Sequence, residues 1–220
     1  MKQITLAIIV VLTASTAVFG TIQIPDKLIY KGKEYDLHTN PLESYFKKYP
    51  DKRPDKNRFA ATNLWRKYVA TFEIIDNQLF LKDIEITNGD TIDKKGCYHT
   101  VWKSVLNEVF PNQELIKIDW FTGLLSLSYN EVSDYRYAYH ILLEIENGEI
   151  RKEKTLGDYK KLKEFEEKQL QAFKETEEYE KIKAELKKSK DFKNKQDIDS
   201  FLQSFVIQYS SKILVEDEEE

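Results

Sequence analysis

Cysteine is almost absent from this chain, which has one, Cys97, among its 220 residues. A disulfide needs two thiols, so the fold has no covalent cross-link within the chain. In an oxidising compartment, a lone thiol is either buried and inert or pairs between two chains. Glycine and proline are also scarce, at seven and five residues, and no glycine-rich loop of the kind that cradles phosphate occurs. The sequence therefore predicts no cofactor.

Histidine is equally rare, and its three copies, His38, His99 and His140, are scattered along the chain. None forms the H-E-x-x-H pair of a helical zinc site, and one cysteine with three separated histidines is a poor set of zinc ligands. Cys97 and His99 are close in sequence, but a Cys–His dyad normally joins side chains from separate elements. No G-x-S-x-G signature of a serine hydrolase occurs. We therefore predict no metal site and assign no catalytic residue.

Long apolar runs are missing except at the start of the chain, where residues 4–19 carry no charge. Lys2 precedes this run and the small residue Gly20 ends it, as in a secretory signal peptide over residues 1–20. We expect cleavage after Gly20, which leaves a mature chain that starts at Thr21. The alternative is a membrane anchor, but a spanning helix needs about 20 apolar residues. The sequence thus predicts a periplasmic or secreted protein without stable membrane insertion.

The body of the chain has no excess of either charge. The chain has 34 basic and 38 acidic residues; without Lys2 and the five acids of residues 216–220, 33 of each remain. An acidic run of this kind is typical of a solvated tail, and it can also bind a basic partner. Nucleic-acid binding needs clustered positive charge, so we predict no nucleic-acid partner. Residues 21–215 have the length of a single domain.

Residues 21–156 show the alternation and the turn signals of a β-sheet. Asp76-Asn77 and Asn147-Gly148 are two-residue hairpin turns, and the second is the strongest short hairpin signal in the chain. After Asp76-Asn77, the apolar residues of the return strand switch from odd to even positions. A strand keeps both sets on one face only if it contains an extra residue, which predicts a β-bulge at or near Lys82-Asp83.

Helices are predicted at four places. Asn40-Pro41 begins a short one, and apolar residues from Val101 to Phe110 recur at three- and four-residue steps. Lysine and glutamate dominate from Asp158 to Lys190, which predicts one long, solvent-exposed helix, and Ile198 to Leu214 has a broad apolar face. The order of elements predicts an α+β fold. It is an antiparallel sheet of about six to eight strands, packed by a short internal helix and by two C-terminal helices within residues 158–214.

Two short aromatic segments are candidates for a recognition surface. Trp65 and Arg66 stand in a stretch rich in large aromatics and cations, where an arginine over a tryptophan forms either a cation–π pair or an exposed recognition spot. Trp120 and Phe121 lie at a predicted turn, where large aromatics serve either as anchors for a partner or as plugs of the core. These four residues are the predicted binding residues.

Two other groups of residues have alternative interpretations. Tyr135, Tyr137 and Tyr139 alternate on one face of a predicted strand and could stack a ligand, but the row continues into isoleucine and leucine, as in a core-facing strand. Asp83, Asp119 and Glu144 also lie on predicted strands, where buried carboxylates can perform acid–base chemistry. A chain with 38 acidic residues places a few on strands by chance, so a solvated or locally bonded role is the alternative.

Several segments of the chain are similar to those of a known group of proteins: PLESYF, LWR-YVATFEI, LFLKDIEI and WKSVLNEVFPNQ. Through residues 27–46, 64–84 and 102–123, the chain resembles a family of small exported bacterial proteins with no known activity. The resemblance covers most of the mature chain. It implies one exported bacterial domain, and it carries over no substrate and no active-site residue.

Three functions are compatible with these features. The first is a non-catalytic protein of the bacterial envelope or exterior that binds a protein partner, as an inhibitor, an immunity-type protein or an assembly factor. The second is a hydrolase with dispersed carboxylates, and the third is a small-ligand carrier that uses the tyrosine row. The lack of catalytic motifs and the predicted signal peptide favour the first.

Overall fold

The computed structural model describes residues 23–54, 62–129, 139–188, 192 and 195–215. The predicted signal peptide and the acidic tail lie outside these residues, as do Tyr135 and Tyr137 of the tyrosine row. The described residues form nine strands and five α-helices. The predicted α+β class is confirmed.

The strands are β1 (Asp26–Tyr30), β2 (Lys33–Leu37), β3 (Val69–Ile75), β4 (Gln78–Ile92), β5 (Tyr98–Ser104), β6 (Ile116–Lys117), β7 (Gly123–Tyr129), β8 (Tyr139–Glu146) and β9 (Glu149–Gly157). The helices are α1 (Pro41–Lys48), α2 (Leu106–Val109), α3 (Tyr159–Lys174), α4 (Glu177–Leu186) and α5 (Lys195–Tyr209). A 3₁₀ turn, Pro50–Lys52, follows α1.

The strands form one sheet whose pairings close into a circuit. Neighbouring strands follow the order β3-β1-β2-β7-β8-β9-β4, and β3 also pairs with β4. The β9–β4 link is short: Gln78 pairs with Glu149, and the Leu79 amide donates to the Gly148 carbonyl at 2.8 Å. β1 and β3 run parallel, whereas the other pairs are antiparallel. The sheet is therefore mixed, and it has one strand more than the expected range.

Closure of the sheet buries both faces of β7 and β8. In β7, Leu125 belongs to a first core, inside the circuit, whereas Leu124 belongs to a second core beneath α3, α4 and α5. In β8, Leu143 and Leu142 divide between the two cores in the same way. Successive side chains of a strand point to opposite faces. Burial of both faces explains why β7 and β8 are rich in consecutive apolar residues.

The predicted bulge and both predicted hairpin turns are confirmed. Thr71 pairs with Asp83 and Phe72 with Leu81, so Lys82 is the extra residue of β4. Asp76-Asn77 joins β3 to β4 and Asn147-Gly148 joins β8 to β9. All four turn residues have positive φ, as the tight turns of β-hairpins require.

The helix predicted from Val101 to Phe110 is wrong for most of its length. Tyr98–Ser104 forms β5, which pairs with the distal half of β4, and helix α2 covers only Leu106–Val109. Val101 is exposed, whereas Val105 and Phe110 are buried. Helical spacing therefore identified the buried residues of the second half alone. The first half is rich in β-branched and aromatic residues, which favour strands when a partner strand is available.

The single long helix predicted from Asp158 to Lys190 is instead two helices, α3 and α4. Thr176 separates them, because its hydroxyl oxygen accepts from the Tyr179 amide at 3.1 Å and caps α4. Tyr179 then packs against Phe173, with 5.6 Å between the ring centroids. Through Tyr179, α4 joins the same second core as Phe173 of α3.

The outer half of β4 and the whole of β5 form an arm, which we define as residues 87–104. Most of its side chains are exposed, and Tyr98 is exposed at 75% and Ile92 at 57%. Cys97 is exposed in the turn at its tip. Of the two environments expected for this thiol, burial is therefore wrong.

Candidate functional site

A groove of about 910 Å³ lies between one end of the sheet and helix α5; we call it the rim groove. Its sheet wall includes Trp65, Arg66, Trp120 and Phe121, and its helix wall includes Phe201, Phe205 and Tyr209. This volume is near the upper end of ordinary ligand pockets, about 300–1,000 Å³. The structure thus brings together all four residues predicted as binding residues, from two segments that are distant in sequence.

Trp65 projects from a loop that is fastened to the start of β1. The Ile24 amide donates to the Asn63 carbonyl at 2.8 Å, and the Trp65 amide donates to the Gln23 side-chain oxygen at 3.1 Å. The backbone is therefore held while the indole stays 55% exposed. A large aromatic that is fixed through its backbone and left open to solvent is suited to contact a partner.

Arg66 is buried, in contrast to its neighbour Trp65. Its Nη2 donates to the Ile24 carbonyl at 3.0 Å and to Asp26 Oδ1 at 3.1 Å. Its guanidinium lies 5.7 Å from the ring centroid of Tyr68, so the ring beneath the arginine is not that of Trp65. Arg66 therefore anchors the loop that presents Trp65.

Asp26 completes this anchor behind the groove. Its Oδ1 also accepts from the Ala70 amide at 2.9 Å. Burial raises the pKa of Asp26 to about 6, although Arg66 acts in the opposite direction. The loss of hydration thus outweighs the attraction of the arginine.

Trp120 is half-buried in a cluster of aromatic rings. Its ring centroid lies 5.0 Å from that of Tyr45. Phe110 stacks nearly parallel to it, at 6.3 Å and 13°. Phe121 packs over Gly123, where a Cβ atom would lie 3.1 Å from the Phe121 ring. These contacts hold both side chains as parts of the wall, which is the plug arrangement, while both also line the groove.

The helix wall of the groove was not predicted from the sequence. Phe205 is 39% exposed and has non-helical backbone angles, φ −130° and ψ 18°, so α5 bends at this residue. Phe201 lies between Phe205 and Tyr209, with ring-centroid distances of 4.8 and 5.6 Å. The three rings form a continuous aromatic surface opposite Trp65 and Trp120.

Four groove residues carry a buried polar atom with no hydrogen-bond partner among the described residues. They are Asn40 Oδ1, Arg66 Nε, Trp120 Nε1 and Ser210 Oγ. A buried polar group that lacks a partner costs about 1–3 kcal/mol. Two of these atoms are donors, one is an acceptor and the serine hydroxyl is both. The residues around the groove therefore contain buried donors and acceptors that have no partner among the described residues.

Two of the three histidines lie in buried places near the groove. His38 lines it and bonds through Nε2 to the Ser128 hydroxyl at 2.7 Å. Burial lowers the pKa of His38 to about 4, and burial followed by repulsion from His38 lowers the pKa of His140 to about 4. Both rings are therefore neutral at pH 7. His99 lies on the arm, where its Nε2 contacts Asp93 at 2.9 Å.

The three carboxylates considered for catalysis are not brought together in the rim groove. Asp83 Oδ1 accepts from the Ile84 amide and from the Ser104 hydroxyl at 2.8 and 2.6 Å. Glu144 Oε2 accepts from the Ile213 amide at 2.8 Å, and Asp119 is exposed. These hydrogen bonds give Asp83 a structural role at the bulge. They give Glu144 a structural role in holding the segment that follows α5.

The other candidate ligand groups are equally dispersed. Of the tyrosine row, the described member Tyr139 is exposed at 62%, while Leu143 and Ile145 of the same strand are buried in the first core. Within the described ranges, no group of three or more His, Cys, Asp and Glu side chains is arranged to hold a metal ion.

Among the helices of the described ranges, none has both the length and the apolar character needed to cross a membrane.

Comparisons with protein-family models, with curated proteins and with solved structures each gave no match. Assignment of a function therefore rests on the geometry of the rim groove.

Proposed function

We propose that this chain is a non-catalytic binding protein of the bacterial envelope or exterior, and that the rim groove holds part of a partner protein. The observation that carries the proposal is the meeting of Trp65, Trp120 and Phe121 with Phe205 across one groove. Binding sites on proteins are concave and mostly apolar, with a few polar groups that fix orientation. Tryptophan is also among the residues that dominate the binding energy of protein interfaces.

The anchoring of the loop supports a binding role further. The buried pair of Arg66 and Asp26 fixes the backbone that carries Trp65. A side chain that is already positioned loses less conformational entropy on binding, so affinity increases. The dispersed carboxylates give no comparable support to a hydrolase. Tyr139 does not line the rim groove, so the groove gives none to a ligand carrier built on the tyrosine row.

Affinity capture with matched variants tests this proposal. We expect the tagged chain, exported from a bacterial host, to retain a protein partner in a stoichiometric complex. Trp65→Ala combined with Phe205→Ala removes one exposed aromatic from each wall and should weaken binding by about 2 kcal/mol or more, roughly thirtyfold. Tyr98→Ala on the arm is the control, because it removes an exposed aromatic outside the groove. Equal capture by all three proteins, or no retained partner, would contradict the proposal.

Export is tested in the same preparation. We expect the N-terminus of the mature protein to be Thr21, in the periplasmic fraction or the medium. A full-length chain in the membrane fraction would show instead that residues 1–20 act as an anchor.

A further inference from the structure

The charged side chains of the rim groove are largely compensated within the protein itself. Arg53 Nη2 contacts Glu43 Oε2 at 2.5 Å, and Glu43 Oε1 also accepts from the Tyr68 hydroxyl at 2.8 Å. Arg66 is paired with the buried carboxylate of Asp26. The charges of Arg53, Glu43 and Arg66 are therefore compensated by these ion pairs.

The outer part of the groove adds no excess of charge. Glu178 Oε2 accepts from the Ser211 hydroxyl at 2.8 Å, and Lys47, which also lines the groove, is an exposed cation. One acid and one base therefore remain near the openings. A strongly acidic or basic segment would lose its hydration in this groove without gaining a matching charge, which is unfavourable.

We propose that the rim groove selects an uncharged, extended stretch of the partner protein that carries aromatic or aliphatic side chains. This inference rests on the proposed function and adds the chemistry of the occupant. An extended chain points successive side chains to opposite sides. In such a chain, one set of side chains would face Trp65 and Phe121 and the other would face Phe201 and Phe205, all of which line the groove.

The polar atoms of the groove match a peptide backbone in kind. Arg66 Nε and Trp120 Nε1 are donors for carbonyl oxygens, and Asn40 Oδ1 is an acceptor for amides. Ser210 Oγ, which is buried with its residue 2% exposed, can serve either group. Each of these atoms is buried, so a peptide backbone reaches them only where the lining side chains move aside.

A sugar fits the walls less well than a peptide does. Stacking of a sugar ring needs an open aromatic face, but Phe110 is stacked on Trp120 and Tyr45 packs against it. The Phe121 ring packs over Gly123. Trp120 and Phe121 are thus covered in part, which leaves Trp65, 55% exposed, as the most open aromatic side chain for stacking in the groove.

Selection from a display library of short random peptides on the purified full chain tests this inference. We expect enriched peptides to be uncharged over their central residues, to contain aromatic or aliphatic residues, and to bind Tyr98→Ala as tightly as the unaltered chain. We expect Trp65→Ala combined with Phe205→Ala to reduce their affinity by about tenfold or more. Chitotetraose, added as a sugar probe, should leave the tryptophan fluorescence unchanged.

The failures of this test are distinguishable. Enrichment of acidic or basic peptides that still depend on Trp65 and Phe205 would overturn the inference and leave the groove as the binding site. Peptides whose binding is indifferent to those substitutions would contradict the proposed function itself. A fluorescence response to chitotetraose, or the absence of any enriched peptide, would overturn the peptide assignment, while affinity capture would still decide whether a partner binds.

Discussion

Arg66 and Asp26 form a buried ion pair, with 3.1 Å between Nη2 and Oδ1 and side-chain exposures of 4% and 0%. The pair joins the loop before β3 to the first residue of β1, the two elements that form one corner of the rim groove. Because the Ala70 amide bonds to the same carboxylate oxygen, one side chain of β1 is joined both to the loop that carries Trp65 and to β3.

Asp26→Ala should be strongly destabilising, since it removes the buried oxygen that accepts from both Arg66 Nη2 and the Ala70 amide. Loss of one partner of a buried pair costs about 3–5 kcal/mol, which urea denaturation measures. Arg66→Met in the same chain should recover part of this loss, because the uncompensated charge is then also removed. A cost below about 1 kcal/mol for Asp26→Ala would show that the pair does not organise this corner.

Acid should weaken the fold through His38 and His140. Their folded pKa values of about 4 lie below the ordinary value of 6.5, so the unfolded chain binds their protons more readily. The stability that depends on the neutral rings is present above about pH 6.5 and is lost as the pH falls towards 4. We expect each histidine to contribute about 1–3 kcal/mol to this loss.

Thermal unfolding between pH 7 and pH 4 checks this dependence. His38→Gln keeps a hydrogen-bonding group near Ser128 but cannot gain a charge, so its stability should fall less steeply with acid. Asp26 acts in the opposite direction, because its raised pKa makes its contribution largest at low pH and smaller as the pH rises through about 6. A variant as acid-sensitive as the unaltered chain would exclude His38 as a cause.

Gly148 should tolerate no side chain, because two hairpins meet there. Its φ is +80°, and a Cβ atom would lie 1.6 Å from the Ile118 carbonyl oxygen. Gly32 provides a matched control, since its φ is +75° and nothing lies within 4 Å of the same position. Gly32→Ala should cost about 1 kcal/mol from backbone strain alone, and Gly148→Ala several times more. Similar costs in denaturant titrations would mean that the β4–β9 closure is not close-packed.

Cys97 should react readily with a thiol reagent in the native protein, because it is exposed at the tip of the arm. Titration with a chromogenic disulfide reagent should count one thiol per chain without denaturant, and Cys97→Ser should give none. A thiol that reacts only after unfolding would place the tip of the arm against another surface.

The features that were predictable from the sequence are those with a local cause. The bulge at Lys82 follows from a change in the parity of apolar residues, which is visible in the sequence itself. Asn147-Gly148 identifies its turn because both residues accept positive φ at low cost. The strand β5 could not be identified in this way, because its hydrogen bonds come from β4 and its apolar spacing also fits a helix.

The candidate site was predictable on one wall and not on the other. Trp65 stood out in a stretch rich in large aromatics and cations, and Trp120 stood out as a large aromatic at a predicted turn. In α5, the broad apolar face consists of two stripes. Ile198, Leu202 and Val206 enter the second core, while Phe201, Phe205 and Tyr209 line the groove, and Phe201 and Tyr209 also pack against that core. Spacing alone shows the width of such a face and not which surfaces it contacts.

Photo-cross-linking from the helix wall tests most directly whether the rim groove is the binding site. A photoreactive phenylalanine analogue placed at Phe205 should cross-link to one partner protein in the exporting host, and the same analogue at Tyr98 should not. We expect the cross-linked partner segment to be uncharged, and the cross-link to be lost when Trp65 is replaced by alanine. A cross-link of equal yield from both positions, or none from Phe205 while the partner is bound, would contradict a binding role for the groove.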